Sequence, residues 1–128
     1  MKRVKGIDTN DMRAMIEAFP SLLCLTKPGP SIMTMASQAF SSGLHGICIA
    51  GMGGSAIAGQ MAKALLAQKA QVPLITWRDY ELPRCVTKDW AVICVSYSGN
   101  TEETLSAFEA AKKVGSVLFI VTTGGEIL

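Results

Sequence analysis

Ile47-Cys48-Ile49-Ala50-Gly51-Met52-Gly53-Gly54-Ser55 and Ala91-Val92-Ile93-Cys94-Val95-Ser96-Tyr97-Ser98-Gly99-Asn100-Thr101 decide the fold. Each is an apolar run, read as a strand, that spills into small hydrogen-bonding residues and then into a helix-forming segment. Continuous apolar runs suit strands covered on both faces, as in a parallel sheet flanked by helices. Two such units in one small α/β domain predict two loops lying side by side at the carboxyl edge of the sheet, where ligands bind in this architecture.

The segments around them repeat the alternation. Gly46 to Gly51 reads as a strand, Ser55 to Gln68 as an alanine-rich helix with small residues suited to close packing, and Val72 to Trp77 as a second strand. Trp90 to Ser96 is a third strand and Thr101 to Val114 a helix, closed by Gly115 in a left-handed turn. Ser116 to Thr122 is a fourth strand. The series predicts an α/β domain with a doubly wound, mostly parallel sheet and right-handed crossovers. Arg78 to Asp89 is too short for a full crossover helix; one helical turn or an irregular loop along the sheet edge is expected there. After Thr122 the chain stops where this architecture normally adds a helix and a strand, so the pattern reads as unfinished.

Upstream, Asp8 to Phe19 has helical spacing, with Thr9 or Asn10 as cap, Met12, Met15, Ile16 and Phe19 as a core-facing stripe, and Pro20 as its stop. Lys27-Pro28-Gly29-Pro30 is a break between elements. Ser31 to Phe40 gives a second helix with Ile32, Met35, Ala36 and Ala39 on one face, ended by Ser41-Ser42-Gly43. The expected organisation is a helical segment, 1–45, packing on an α/β domain, 46–128.

The totals agree with this reading and exclude others. A 128-residue chain fits one domain burying about two thirds of its unfolded surface. It is 49% apolar with mean hydropathy +0.33, yet no stretch approaches the roughly 20 apolar residues of a membrane span. The basic start Met1-Lys2-Arg3-Val4-Lys5 is not followed by the apolar core of a signal peptide, which points to the cytosol. A net charge of +2 from scattered lysines and arginines does not make the basic stripe of a nucleic-acid binder. Cys24, Cys48, Cys85 and Cys94 form no C-x-x-C pair, and the lone His45 completes no metal cluster. Buried, reduced thiols are expected, with neither metal nor cofactor.

The chemistry lies in the two loops. Gly51, Gly53 and Gly54 clear side chains away from backbone N–H donors, and the helix starting near Ser55 aims its unsatisfied amides and positive dipole end at the same place. Ser96, Ser98 and Thr101 offer three hydroxyls within six residues. Asn100 and Glu103 have the spacing of a capping box, which would leave those hydroxyls free for a ligand. Neutral donors converging at a helix start suit a phosphate ester. Each loop alone is also what a tight strand-to-helix turn or an ordinary helix start requires; their adjacency is what favours a ligand. Gly51-Met52-Gly53-Gly54-Ser55-Ala56 also satisfies the G-x-G-x-x-A dinucleotide fingerprint, with Asp79 for a ribose or Arg78 for a 2′-phosphate. That alternative gives the second loop no purpose. A Walker-type site is excluded because no Gly-Lys-Ser/Thr follows the glycines.

Gly51-Met52-Gly53-Gly54-Ser55-Ala56-Ile57-Ala58-Gly59, Arg78-Asp79-Tyr80-Glu81-Leu82-Pro83 and Ser96 to Leu105 together resemble the sugar isomerase (SIS) domain, in particular the amino-terminal half of bifunctional phosphoglucose/phosphomannose isomerases. The resemblance runs from about the second helix to Leu128. It implies a flavodoxin-like domain with a five-stranded parallel sheet. It implies that Ser96, Ser98 and Thr101 grip the phosphate of a phosphorylated hexose while Gly53, Gly54 and Ser55 line the reacting end of the sugar. It further implies a partner, either a second SIS domain or another copy of the chain. The glutamate, histidine, lysine and arginine that such enzymes use for ring opening and proton transfer belong to sequence after the Gly-Gly corresponding to Gly124-Gly125, so no catalytic residue is assigned here. Gln60 stands where relatives often carry an acidic residue. Three functions remain open: the sugar-phosphate-binding domain of an aldose–ketose isomerase acting on glucose, mannose and fructose 6-phosphates; a non-catalytic sugar-phosphate sensor; and an NADP-binding domain.

Overall fold

The computed structural model describes residues 11–22 and 28–128, in two compact units divided in sequence between Met33 and Thr34. In the first unit, α1 spans Met12–Leu22. The capping candidates Thr9 and Asn10 lie outside the described residues; Asp11 holds the start, its Oδ1 accepting the Ala14 N–H at 3.3 Å. Pro20 does not stop the helix but lies inside it. A proline inside a helix removes one hydrogen bond, the one its N–H would make to the carbonyl four residues back. Within this unit Met12, Met15, Ile16 and Phe19 are all more than half exposed.

α2, Pro30–Ser41, begins with a proline at its first helical position, where the missing N–H has no helical partner to lose. Of the face expected to be apolar and buried, only Ala39 is buried; Ile32 and Met35 stand more than half exposed.

The second unit carries the sheet. β1 (Gly46–Ala50), β2 (Leu74–Trp77), β3 (Trp90–Ser96) and β4 (Val117–Thr122) are all parallel, in the order β2-β1-β3-β4. The described residues supply four of the five strands that the resemblance implies. α3 (Gly53–Leu66) links β1 to β2, and α4 (Glu102–Val114) links β3 to β4. Because successive side chains of a strand point to opposite faces, the sheet feeds two cores. Ile47, Ile49 and Ala91 pack with Ala39 of α2, Leu44 and Ala62 of α3 on one face. Cys48, Ala50, Val92 and Cys94 pack with Ala107 and Ala111 of α4 on the other. The sheet is doubly wound, and all five residues of β1 are buried, as its unbroken apolar run requires.

The α4 C-terminus ends as the sequence specifies. Gly115 adopts φ 78, and its N–H bonds Lys112 O while the Ser116 N–H bonds Ala111 O, satisfying carbonyls that the helix leaves open. The 78–89 connection contains no helix. It does not follow the sheet edge either: Leu82 and Val86 are set into the α4-side core beside Trp90. A short loop with two apolar anchors thus covers sheet that a crossover helix would otherwise cover.

Candidate functional site

β1 and β3 are the inner strands, and the chain leaves them in opposite directions, to α3 on one face and α4 on the other. That is the switch point at which open α/β sheets bind ligands. Ala50 is level with Cys94, so the two loops leave the sheet together. Gly51 makes the seam possible. A Cβ there would stand 2.7 Å from the Val95 carbonyl oxygen and 3.3 Å from Ser55 Cβ, and any side chain would force the loops apart.

On the first loop, Gly53 and Gly54 are exposed, and a Cβ on either would meet nothing within 4 Å. Backbone at the start of α3 therefore faces open space, with the half-buried Ser55 one residue further on. The α3 N-cap, Met52, makes no side-chain cap hydrogen bond, and neither does Thr101, the N-cap of α4. Two helices thus begin on adjacent strands with first-turn amides that no N-cap side chain occupies. Such amides and the helix dipole favour an anion.

The second loop departs from its expected form. Asn100 does not cap α4: its Oδ1 accepts the Glu126 N–H at 2.8 Å. Nor are the hydroxyls all idle. Ser96 is 1% exposed; its Oγ accepts the Gly99 N–H at 3.0 Å and shares a 3.0 Å hydrogen bond with Thr101 Oγ1. Ser98 is exposed and its Oγ accepts the Asn100 N–H at 3.2 Å, which leaves its own proton to donate. With Ser96 donating to Thr101, the partly exposed Thr101 hydroxyl is likewise free to donate outward. Ser96 organises the turn from behind, while Ser98, and Thr101 when Ser96 donates to it, carry the outward donors.

A third turn, which sequence reasoning missed as part of the site, braces the second. Thr123 donates to Tyr97 O from both N–H (3.3 Å) and Oγ1 (2.6 Å), and Ile127 N–H donates to Gly99 O at 3.1 Å. Gly99 (φ 69) and Gly125 (φ 90) interlock so closely that a Cβ on Gly99 would overlap the Gly124 carbonyl, and one on Gly125 the Ser98 carbonyl. Ile127, 1% exposed, fastens this turn into the α4-side core. The signal was available: Thr122-Thr123-Gly124-Gly125 after a strand has the hydroxyl-and-glycine composition of the other two loops.

The β2 exit supports α4 from its other side. Tyr80 OH donates to Glu102 Oε2 at 3.2 Å, and the Glu81 N–H donates to Ser106 Oγ at 3.0 Å. Its bond to the Glu102 carboxylate, then the nearby Glu103 charge, push the Tyr80 phenol up from its ordinary value. Asp79 is turned to local use, its Oδ1 accepting the Tyr80 N–H at 2.8 Å.

Neither 50–57 nor 95–104 contains a lysine or arginine, so the donors of these loops are neutral. Such a set can hold and orient an anionic ester. Cys48 and Cys94 are buried, with thiols pushed up to about 12 first by burial; Cys85, contrary to expectation, is exposed. Cys24 lies outside the described residues. Among the described residues no three His, Cys, Asp or Glu side chains cluster to hold a metal ion, and no helix is long and apolar enough to cross a membrane.

No family model matches the chain. Sequence relatives are nevertheless clear. The bifunctional phosphoglucose/phosphomannose isomerase of Caldicellulosiruptor bescii is 47% identical over 81 residues, 63% of this chain and 24% of that protein. The enzyme of the same name from Aquifex aeolicus is 44% identical over 84 residues, 65% of this chain and 26% of that protein. That of Thermoplasma acidophilum is 47% identical over 81 residues, covering 63% and 25% respectively. The chain therefore spans about a quarter of the length of these relatives. Among solved structures, a candidate phosphosugar isomerase from Salmonella typhimurium superimposes with TM-score 0.64 at 20% identity, over 81% of this chain and 34% of that one. Another from Bacillus subtilis gives 0.62 at 21% identity, over 72% and 30%. The resemblance to bifunctional phosphoglucose/phosphomannose isomerases thus extends well beyond three short motifs, and the fold is the one the phosphosugar isomerase structures share.

Proposed function

We propose that this chain is the sugar-phosphate-binding SIS domain of an aldose–ketose isomerase that interconverts glucose 6-phosphate or mannose 6-phosphate with fructose 6-phosphate. The observation that carries the reading is the meeting, at the β1/β3 switch point, of two helix starts free of N-cap side-chain bonds with the outward hydroxyls of Ser98 and Thr101. The names of the sequence relatives supply the substrate class.

Residue roles follow from that placement. Thr101, Ser98 and the first amides of α4 donate to the phosphate, and Ser96 fixes the turn and the direction of the Thr101 proton. Gly53, Gly54 and Ser55 border the space left for the sugar. The groups for ring opening and proton transfer come from sequence of the kind that follows Gly124-Gly125 in such isomerases, or from a different chain that carries it, while a second SIS domain or another copy of this chain is the partner. An exposed stripe on α3, Ile57, Met61 and Leu65, supports such an association, since apolar side chains four residues apart share one helix face.

Thermal-shift titration tests the reading. Fructose 6-phosphate and arabinonate 5-phosphate should raise Tm, because a ligand that binds only the folded state stabilises it by RT ln(1 + [L]/Kd). NADPH should not. A rise with NADPH and none with the sugar phosphates would transfer the site to a dinucleotide.

A further inference from the structure

We propose that Asn100 is a positioning residue, a latch that fastens the hydroxyl loop to the turn after β4, so that anion binding at the loop and ordering of residues 123–127 are one equilibrium. The inference rests on the functional reading above for the identity of the anion; the latch itself does not. Asn100 is spaced from Glu103 as a helix cap, yet its side chain leaves the helix and its Oδ1 takes the Glu126 N–H at 2.8 Å. Its own N–H donates to Ser98 Oγ at 3.2 Å, so one residue holds an outward hydroxyl of the site with its backbone and the third turn with its side chain. Diverting Asn100 also leaves the α4 amides without a cap from it, available to an anion.

The surroundings allow no compromise position. A Cβ on Gly125 would come within 2.8 Å of Asn100 Oδ1 and still closer to the Ser98 carbonyl, so the two turns meet backbone to backbone. Ile127 donates its N–H to Gly99 O beside the latch and buries its side chain in the core. Releasing Glu126 from Asn100 therefore loosens Gly99 and Ser98 from the far side. A ligand that needs Ser98 and Thr101 in place binds the latched form better, and by linkage must stabilise the latch to the same degree.

Amide hydrogen exchange on the full chain reads this directly. In the free protein, Asn100→Ala should speed exchange of the Glu126 amide at least tenfold while the β1 amides keep their protection. Asn100→Asp, which retains an acceptor oxygen, should restore Glu126 protection, a rescue that simple destabilisation would not give. Fructose 6-phosphate should slow Glu126 and Ile127 exchange in the parent, and should do so far less in Asn100→Ala. Unchanged Glu126 exchange in Asn100→Ala overturns the latch. A parent that binds the sugar phosphate with no slowing at Glu126 overturns the coupling but not the functional reading. A parent that binds no sugar phosphate overturns the functional reading and the coupling together, and the latch is then judged by exchange in the free protein.

Discussion

Ser96 Oγ and Thr101 Oγ1 lie 3.0 Å apart across the turn that joins β3 to α4, the first residue buried and the second partly exposed. The Gly99 N–H points at the same Ser96 oxygen. With the Ser96 oxygen accepting from Gly99, its own proton can be given to Thr101, and a hydrogen-bonded series of this kind polarises the hydroxyl at its end.

Removing the end of that series should cost affinity without much cost in fold. Thr101→Val keeps the shape and loses the hydroxyl; binding of fructose 6-phosphate should weaken by about 1.5–3 kcal/mol, the scale of a hydrogen bond to a charged group. Ser96→Ala should weaken binding by a similar amount and also lower Tm, since it strips the buried Gly99 N–H of its acceptor. Isothermal titration and thermal melts on both variants check this, and a Ser96→Ala variant with unchanged Tm would contradict the supporting role.

Gly99→Ala should be the most damaging single methyl at the site. The residue has φ 69, and the added carbon would run into the Gly124 carbonyl. Backbone strain and overlap together place the loss at about 2–4 kcal/mol, in the range of severe single substitutions. Urea unfolding measures it; a loss under about 0.5 kcal/mol, ordinary for an exposed surface change, would mean the two turns are not interlocked.

Alkaline pH should unfold the protein through its buried thiols. Cys48 and Cys94 are raised from an ordinary value of 9.0 to about 12. Below pH 9 folded and unfolded chains both keep these protons, so the thiols add no pH dependence. Between 9 and 12 the unfolded chain releases protons that the folded chain retains, and stability falls by up to about 1.4 kcal/mol per pH unit per thiol. Urea midpoints at pH 8, 9 and 10 should fall more steeply in the parent than in a Cys48→Ala, Cys94→Ala double variant. A thiol reagent at pH 7.5 should modify the exposed Cys85 and leave these two intact.

Thr104 is 1% exposed, and its hydroxyl finds no hydrogen-bond partner among the described residues. A buried polar group in that condition costs about 1–3 kcal/mol. Thr104→Val, which keeps the branched shape, should therefore raise stability by about 1 kcal/mol in urea unfolding. A loss instead would reveal a partner for the hydroxyl in solution.

Legibility in the sequence followed the range of the forces involved. β1 and β3 were readable because burial on both faces leaves an unbroken apolar run, and Gly115 because only a glycine suits a left-handed helix end. The seam between the first two loops was readable because a parallel sheet brings such loops together wherever their strands are neighbours. Asn100 was misread: its local spacing from Glu103 favours a cap, but the Glu126 amide, 26 residues away, wins it through contacts that no local pattern records. Pro20 was misread because a proline near a helix end need not be its last residue.

The strand order has a consequence in time. β1 and β3 touch along their whole length, yet Ala50 and Cys94 are separated by an entire helix, a strand and a loop. Closing so long a segment is slow, and the two halves of the proposed anion site do not exist together until it is closed. A sugar phosphate therefore has nothing to hold in a half-folded chain. It should retard the departure from the native state and leave the rate of arrival unchanged, which makes the ligand a brake on unfolding and not a template for folding.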